Sequence, residues 1–124
     1  MIQGIKSVLI GLAVEDEDET TSALGYGLSL AQGAGAHATV QAASVKLVLT
    51  HTFIRAVADL VASENRRRHR LAELLAARAR DSSLAAGTLC TTESPQLTYP
   101  DLLDAFAVQA RVHDVIVLDA EPAA

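Results

Sequence analysis

Apolar residues occur as short unbroken runs near both ends of the chain and at helical spacing between them. Val8–Val14 is apolar on both faces, as expected for a central strand covered by helices on each side. The second predicted strand is His37–Val45, the third is Thr88–Thr92, and the fourth is His113–Leu118. The residues from 46 to 52 are predicted to form a loop.

Three helices are predicted between these strands. The first follows the strand Val8–Val14 and ends near Gln32, where Gly33 and Gly35 favour a break. The second has a 3.6-residue period from Phe53 to Arg80; its length of about 42 Å exceeds a short parallel sheet, so one end should project or bend. The third is Tyr99–Arg111, with a proline in its first turn. The order β-α-β-α-β-α-β predicts an α/β fold, an open parallel sheet of about four strands with helices on both faces.

Composition narrows the class of protein. A length of 124 residues is typical of one domain, and we treat 1–124 as a single domain. Aromatic residues make up only 3% of the chain, which disfavours base stacking, and a net charge of −5 disfavours phosphate-backbone binding. Cys90 is the only cysteine, which excludes an internal disulfide. We therefore expect a cytoplasmic protein with no nucleic-acid partner and no membrane partner.

The acidic run Glu15–Glu19 follows the first predicted strand and could coordinate Mg²⁺. Phosphorylated receiver domains also keep acids there, but they need an accepting Asp at the end of strand three, where this chain offers only Glu93. We favour a solvated loop that opposes the positive end of the following helix dipole.

Basic and nucleophilic residues form no recognisable catalytic or metal-binding pattern. Arg68 lies on the apolar stripe of the second helix and should need a carboxylate partner. Glu64 and Glu73 lie close enough to pair with some of the basic residues from Arg66 to Arg70. No metal-ligand spacing connects the four histidines, which are His37, His51, His69 and His113. We expect no metal site and no catalytic residue, so the protein is not predicted to be an enzyme.

The whole pattern resembles the universal stress protein family. The resemblance is carried by the first strand IKSVLIGLAV, the turn GAGAHATV, the long helix ENRRRHRLAELLAARAR and the final segment YPDLLDAFAVQARVHDVIVL. It covers roughly residues 5–118 and implies a Rossmann-like three-layer fold of the adenine-nucleotide-hydrolase type.

The chain departs from the family's pattern at two points of the nucleotide site that the resemblance implies. ATP-binding members carry an Asp at the end of strand one, where this chain has Ala13, and a Gly-rich phosphate loop after strand four, where it has Asp119. The family's nucleotide-site positions correspond here to Ala13, Val14, Ala43 and Asp119. Since alanine accepts no hydrogen bond and a carboxylate repels phosphate, we expect these positions to be non-functional and the protein to hold no cofactor, ATP included.

The resemblance also bears on partners and function. The family's fifth strand is missing, so Val115–Leu118 should be an exposed apolar sheet edge that pairs with a second copy or with a tandem second domain. The chain resembles the first, degenerate half of a tandem member, and the missing strand is consistent with truncation at its C-terminal end. The implied function is a regulatory or dimerising module in the stress response. The alternative is an adenine-nucleotide (ATP or AMP) binding protein with a variant site between strands one and four.

Overall fold

A computed structural model of the protein describes residues 4–14, 22–48 and 55–118. The acidic run Glu15–Glu19, His51, Phe53 and Asp119 lie outside the described residues. The elements are β1 (Ser7–Val14), α1 (Ser22–Ala34), β2 (His37–Val45), α2 (Arg55–Ala86), β3 (Cys90–Glu93), β4 (Gln96–Leu97), α3 (Tyr99–Ala110) and β5 (Val115–Leu118).

The strands form an open sheet in which every pairing is parallel. Its order is β3-β2-β1-β5, and β4 also pairs with β2. The predicted α/β class and parallel sheet are therefore confirmed. The strand predicted as the fourth is β5, which lies beside β1 at one end of the order, as far from β3 as the sheet allows.

The structure adds one short strand, β4, in a segment predicted to be only a connection. Gln41 pairs with Glu93 in β3, and Ser44 pairs with Gln96 in β4, so both sides advance by three residues. The Pro95 carbonyl still accepts from the backbone N–H of Ser44 at 2.9 Å. β3 and β4 therefore act as a single edge strand that is interrupted at Pro95. The sheet has five strands, but only four lie side by side.

The two faces of the sheet are covered differently. Val8, Ile10, Leu12 and Val14 of β1 share a core with α1 and α2, and we call this side the two-helix face. The opposite side, the one-helix face, packs Ala43 and Val45 of β2 against α3. The order of the strands explains this arrangement, because crossovers between parallel strands keep one hand. The connections through α1 and α2 run from β1 toward β3, whereas the connection through α3 runs in the opposite direction to β5, so α3 lies on the other face.

Helix α2 extends beyond the sheet at its first end, as its length predicted. None of residues 55–63 is buried, and the buried positions of the helix begin at Asn65. At its other end the helix continues past the predicted stop at Arg80 to Ala86. The end is set by Gly87, whose φ of +72° is readily adopted only by glycine.

Candidate functional site

Ligands of open α/β sheets usually bind outside the carboxyl ends of the strands, where the strand order reverses. In this sheet the reversal lies between β1 and β5, because β2 and β5 flank β1 on opposite sides. The predicted positions Ala13, Val14 and Ala43 all lie at this end of the sheet, and Asp119 lies outside the described residues. This edge is therefore the first candidate site.

The structure brings two of the predicted positions together and separates the third. Ala13 and Ala43 are direct partners in the pairing of β1 with β2, and both belong to the one-helix face. Val14 pairs with Ser44 and belongs to the core of the two-helix face. No single ligand group on one side of the sheet can therefore contact all three side chains.

Side chains of α3 fill the space over Ala13 and Ala43. Leu102 and Phe106 are only 2% and 7% exposed, and they pack with fully buried Ala43 and with Ala13. Gly11 lies beneath the same cover: a Cβ built there would stand 3.0 Å from Phe106 Cζ and 2.5 Å from Leu118 Cδ2. The space over Ala13 and Ala43 is therefore apolar and filled by side chains of α3. Ala13 and Ala43 themselves offer no side-chain hydrogen-bond donor or acceptor to a base.

A polar cluster lies on the two-helix face, at the carboxyl end of β2 and so next to the candidate site. The side chain of Asn65, which is 8% exposed, accepts from the backbone N–H of Leu47 at 2.8 Å and donates to its carbonyl at 3.0 Å. Gln96 of β4 donates to the Asn65 carbonyl at 2.9 Å. These bonds fasten the chain beyond β2 to α2, and an asparagine among arginines gave no signal of this role in the sequence.

Arg68 has the carboxylate partner that its position predicted. Its Nε donates to Glu64 at 3.1 Å, and its Nη1 donates to the Val45 carbonyl at 3.1 Å. Arg67 donates twice to the same carboxylate, at 2.7 and 2.9 Å. Hydrogen bonds from Arg67 and then Arg68 lower the pKa of Glu64 from 4.5 to about 2. Both guanidinium groups are bonded to Glu64, so they do not form a free cationic site for an anionic ligand. Through the bond from Arg68 to Val45, the cluster holds α2 to the end of β2.

A second polar group lies on the one-helix face, beside the part that α3 covers. His37 Nε2 is 2.8 Å from Thr91 Oγ1, and Gln41 donates to Glu93 at 3.4 Å. The remaining member is Thr39, and we call this set (His37, Thr39, Gln41, Thr91 and Glu93) the polar strip. The strict alternation of His, Thr and Gln with Ala38, Val40 and Ala42 is the sequence signal of a strand with one polar face, which the prediction of helices on both faces did not use.

His113 connects the end of α3 to the polar strip. Its Nδ1 is 2.7 Å from the Gln109 carbonyl, which can only accept, so this nitrogen carries the proton. Its Nε2 is 3.2 Å from Thr39 Oγ1 and accepts from that hydroxyl when the ring is neutral. The third described histidine, His69, pairs with Glu73 on α2 at 3.3 Å. Within the described ranges, no group of three or more His, Cys, Asp or Glu side chains could hold a metal ion.

Asp114 fastens the start of β5 to the start of β1. Its Oδ2 accepts from the backbone N–H of Lys6 at 2.7 Å and of Ser7 at 3.2 Å. The hydrogen bond from Lys6, followed by that from Ser7, holds the pKa of Asp114 below its usual value. The residue lies at the amino ends of the strands, away from the candidate site, and its role is to fix the register of the edge strand.

Solved structures resemble this architecture closely in outline and weakly in sequence. Universal stress protein UspA from Lactobacillus plantarum aligns with 92% of this chain and 76% of its own, at a TM-score of 0.66 and 14% identity. A universal stress family protein from Burkholderia pseudomallei aligns with 90% of this chain and 80% of its own, at a TM-score of 0.55 and 17% identity. The fold is that of the universal stress proteins.

The resemblance predicted from the sequence is thus confirmed at the level of the fold. No protein-family model matches the chain, and no curated protein matches it in sequence. At identities below a fifth, the universal-stress-type fold carries over, while ligands and partners need evidence from this chain's own residues. No helix in the described part of the chain is long and apolar enough to cross a membrane.

Proposed function

We propose that this protein is a universal-stress-type regulatory module that acts without ATP, by associating through the β5 edge with a second copy or a second domain. It is proposed to be no enzyme and to carry no cofactor. The observation that carries the proposal is a contrast where the strand order reverses: side chains of α3 fill the space over Ala13 and Ala43, whereas no strand of the described residues pairs with the outer side of β5.

Support for the absence of ATP binding comes from Ala13 and Ala43. Adenine recognition in a pocket needs placed donors and acceptors, and these side chains have none. Leu102 and Phe106 already pack over them. Opening the space would expose both apolar side chains, which costs roughly 1.5–3 kcal/mol for each. A nucleotide would have to overcome this cost before it gained any contact.

Nucleotide binding is tested by thermal unfolding with and without ATP, ADP or AMP plus Mg²⁺, together with an assay of nucleotide released from the denatured protein. A ligand present at 100 times its Kd stabilises a protein by about 2.7 kcal/mol, which shifts the Tm by several degrees. We expect no shift and no released nucleotide. A clear shift, or bound nucleotide, overturns this part of the proposal and supports the variant adenine-nucleotide site.

Support for association comes from β5. Its outer side pairs with no strand in the described part of the chain, and all four residues of VIVL are apolar. Leu118 is 48% exposed, and Leu103 on the neighbouring α3 is 55% exposed. A free apolar edge of this kind pairs readily with another strand, and proteins usually blunt or cover it.

The direction of the backbone groups in β5 gives a selective test. The Ser7 carbonyl accepts from Asp114, so the odd-numbered residues of β1 direct their backbone groups toward β5. With Ile10 paired to Val117, the N–H of Val117 therefore points toward β1, and the N–H of Leu118 points away. A proline is tolerated on an edge strand where the missing N–H would face outward. Leu118→Pro should therefore remove an outward donor and leave the β1 pairing in place.

We expect the protein to dimerise at micromolar concentrations in analytical ultracentrifugation and Leu118→Pro to weaken that association by at least about tenfold. Leu118→Val keeps the N–H and an apolar side chain, and should associate as the unmodified protein does. Circular dichroism checks that both variants fold. A monomer at all concentrations would contradict pairing with a second copy, and equal association of both variants would place the contact elsewhere.

A further inference from the structure

We draw no further inference here: the strongest candidate, the polar strip on the one-helix face, carries nothing, because its side chains bond to one another, the buried Gln41 Oε1, unpaired within the described residues, is enclosed by the protein, and nothing in the structure shows what covers the strip.

Discussion

The two faces of one strand, β2, differ sharply in chemistry. Toward α1 and α2 it presents Ala38, Val40 and Ala42, all fully buried. Toward α3 it presents His37, Thr39 and Gln41 before it turns apolar at Ala43. Two helices exclude water along the whole first face, whereas one helix covers only part of the second. The composition of a strand face therefore follows the number of helices available to cover it.

Phe106 holds the covered part of the one-helix face together, so its truncation should have the largest effect. The ring is 7% exposed and lies over Gly11. We expect Phe106→Ala to lower the free energy of unfolding by about 3–5 kcal/mol, measured by urea denaturation. Leu103→Ala on the same helix is the control; because Leu103 is 55% exposed, its loss should cost about 0.5 kcal/mol or less. Equal losses would mean that α3 is not anchored through Phe106.

Close approach of helix and strand distinguishes the two-helix face. A Cβ added at Gly27 of α1 would stand 2.5 and 2.6 Å from Cγ1 and Cδ1 of Ile10. Gly27→Ala should therefore overpack the core and cost about 1–3 kcal/mol of unfolding free energy. Gly25 lies two residues away on α1 with nothing within 4 Å of its built Cβ.

Gly25→Ala is the matched control for Gly27→Ala in the same denaturation experiment. It should stabilise the protein by up to about 1 kcal/mol, because alanine favours a helix over glycine. The two substitutions are chemically identical, so only the packing of the helix against β1 can give them opposite signs. If both stabilised the protein, α1 would lie farther from β1 than the structure indicates.

Buried hydroxyls give a smaller effect on the two-helix face. Ser44 is fully buried, and its Oγ has no hydrogen-bond partner among the described residues. An unpaired buried hydroxyl is costly, so Ser44→Ala should raise the free energy of unfolding by about 1 kcal/mol. Thermal unfolding measures this gain. A loss of stability instead would show that the hydroxyl is satisfied by a bound group at the carboxyl ends of the strands.

Periodicity predicted the order of the long elements because local pattern and tertiary packing agree there. They diverge near the end of α2, where Ser82 and Ser83 weaken the helical signal. The helix continues because Ala79 and Ser83 are small enough to be buried, and because Ser83 Oγ donates to the Arg80 carbonyl at 2.8 Å. β4 escaped prediction for a related reason: Pro95 reads as a break, although its carbonyl still takes part in the ladder.

Prediction of the candidate site was limited in the same way. Adjacent positions on neighbouring parallel strands can be anticipated, and Ala13 does meet Ala43. The filling of the space above them depends on where α3 crosses the sheet and how Leu102 and Phe106 turn inward. Those are tertiary choices that no local pattern in residues 99–110 specifies.

The smallest effect is a pH dependence of stability at the cluster of Glu64, Arg67 and Arg68, which joins α2 to the end of β2. Because Arg67 and Arg68 lower the pKa of Glu64 from 4.5 to about 2, its ionised form stabilises the fold above pH 4.5. That contribution should fall as the pH drops from 4.5 toward 2. In urea denaturation, Glu64→Gln should therefore be less stable than the unmodified protein at pH 7, and the difference should shrink by pH 3. Asp59→Asn, an exposed substitution on the same helix, controls for the change in net charge. A difference that stayed constant over this range would mean that the guanidinium bonds to Glu64 do not persist in solution.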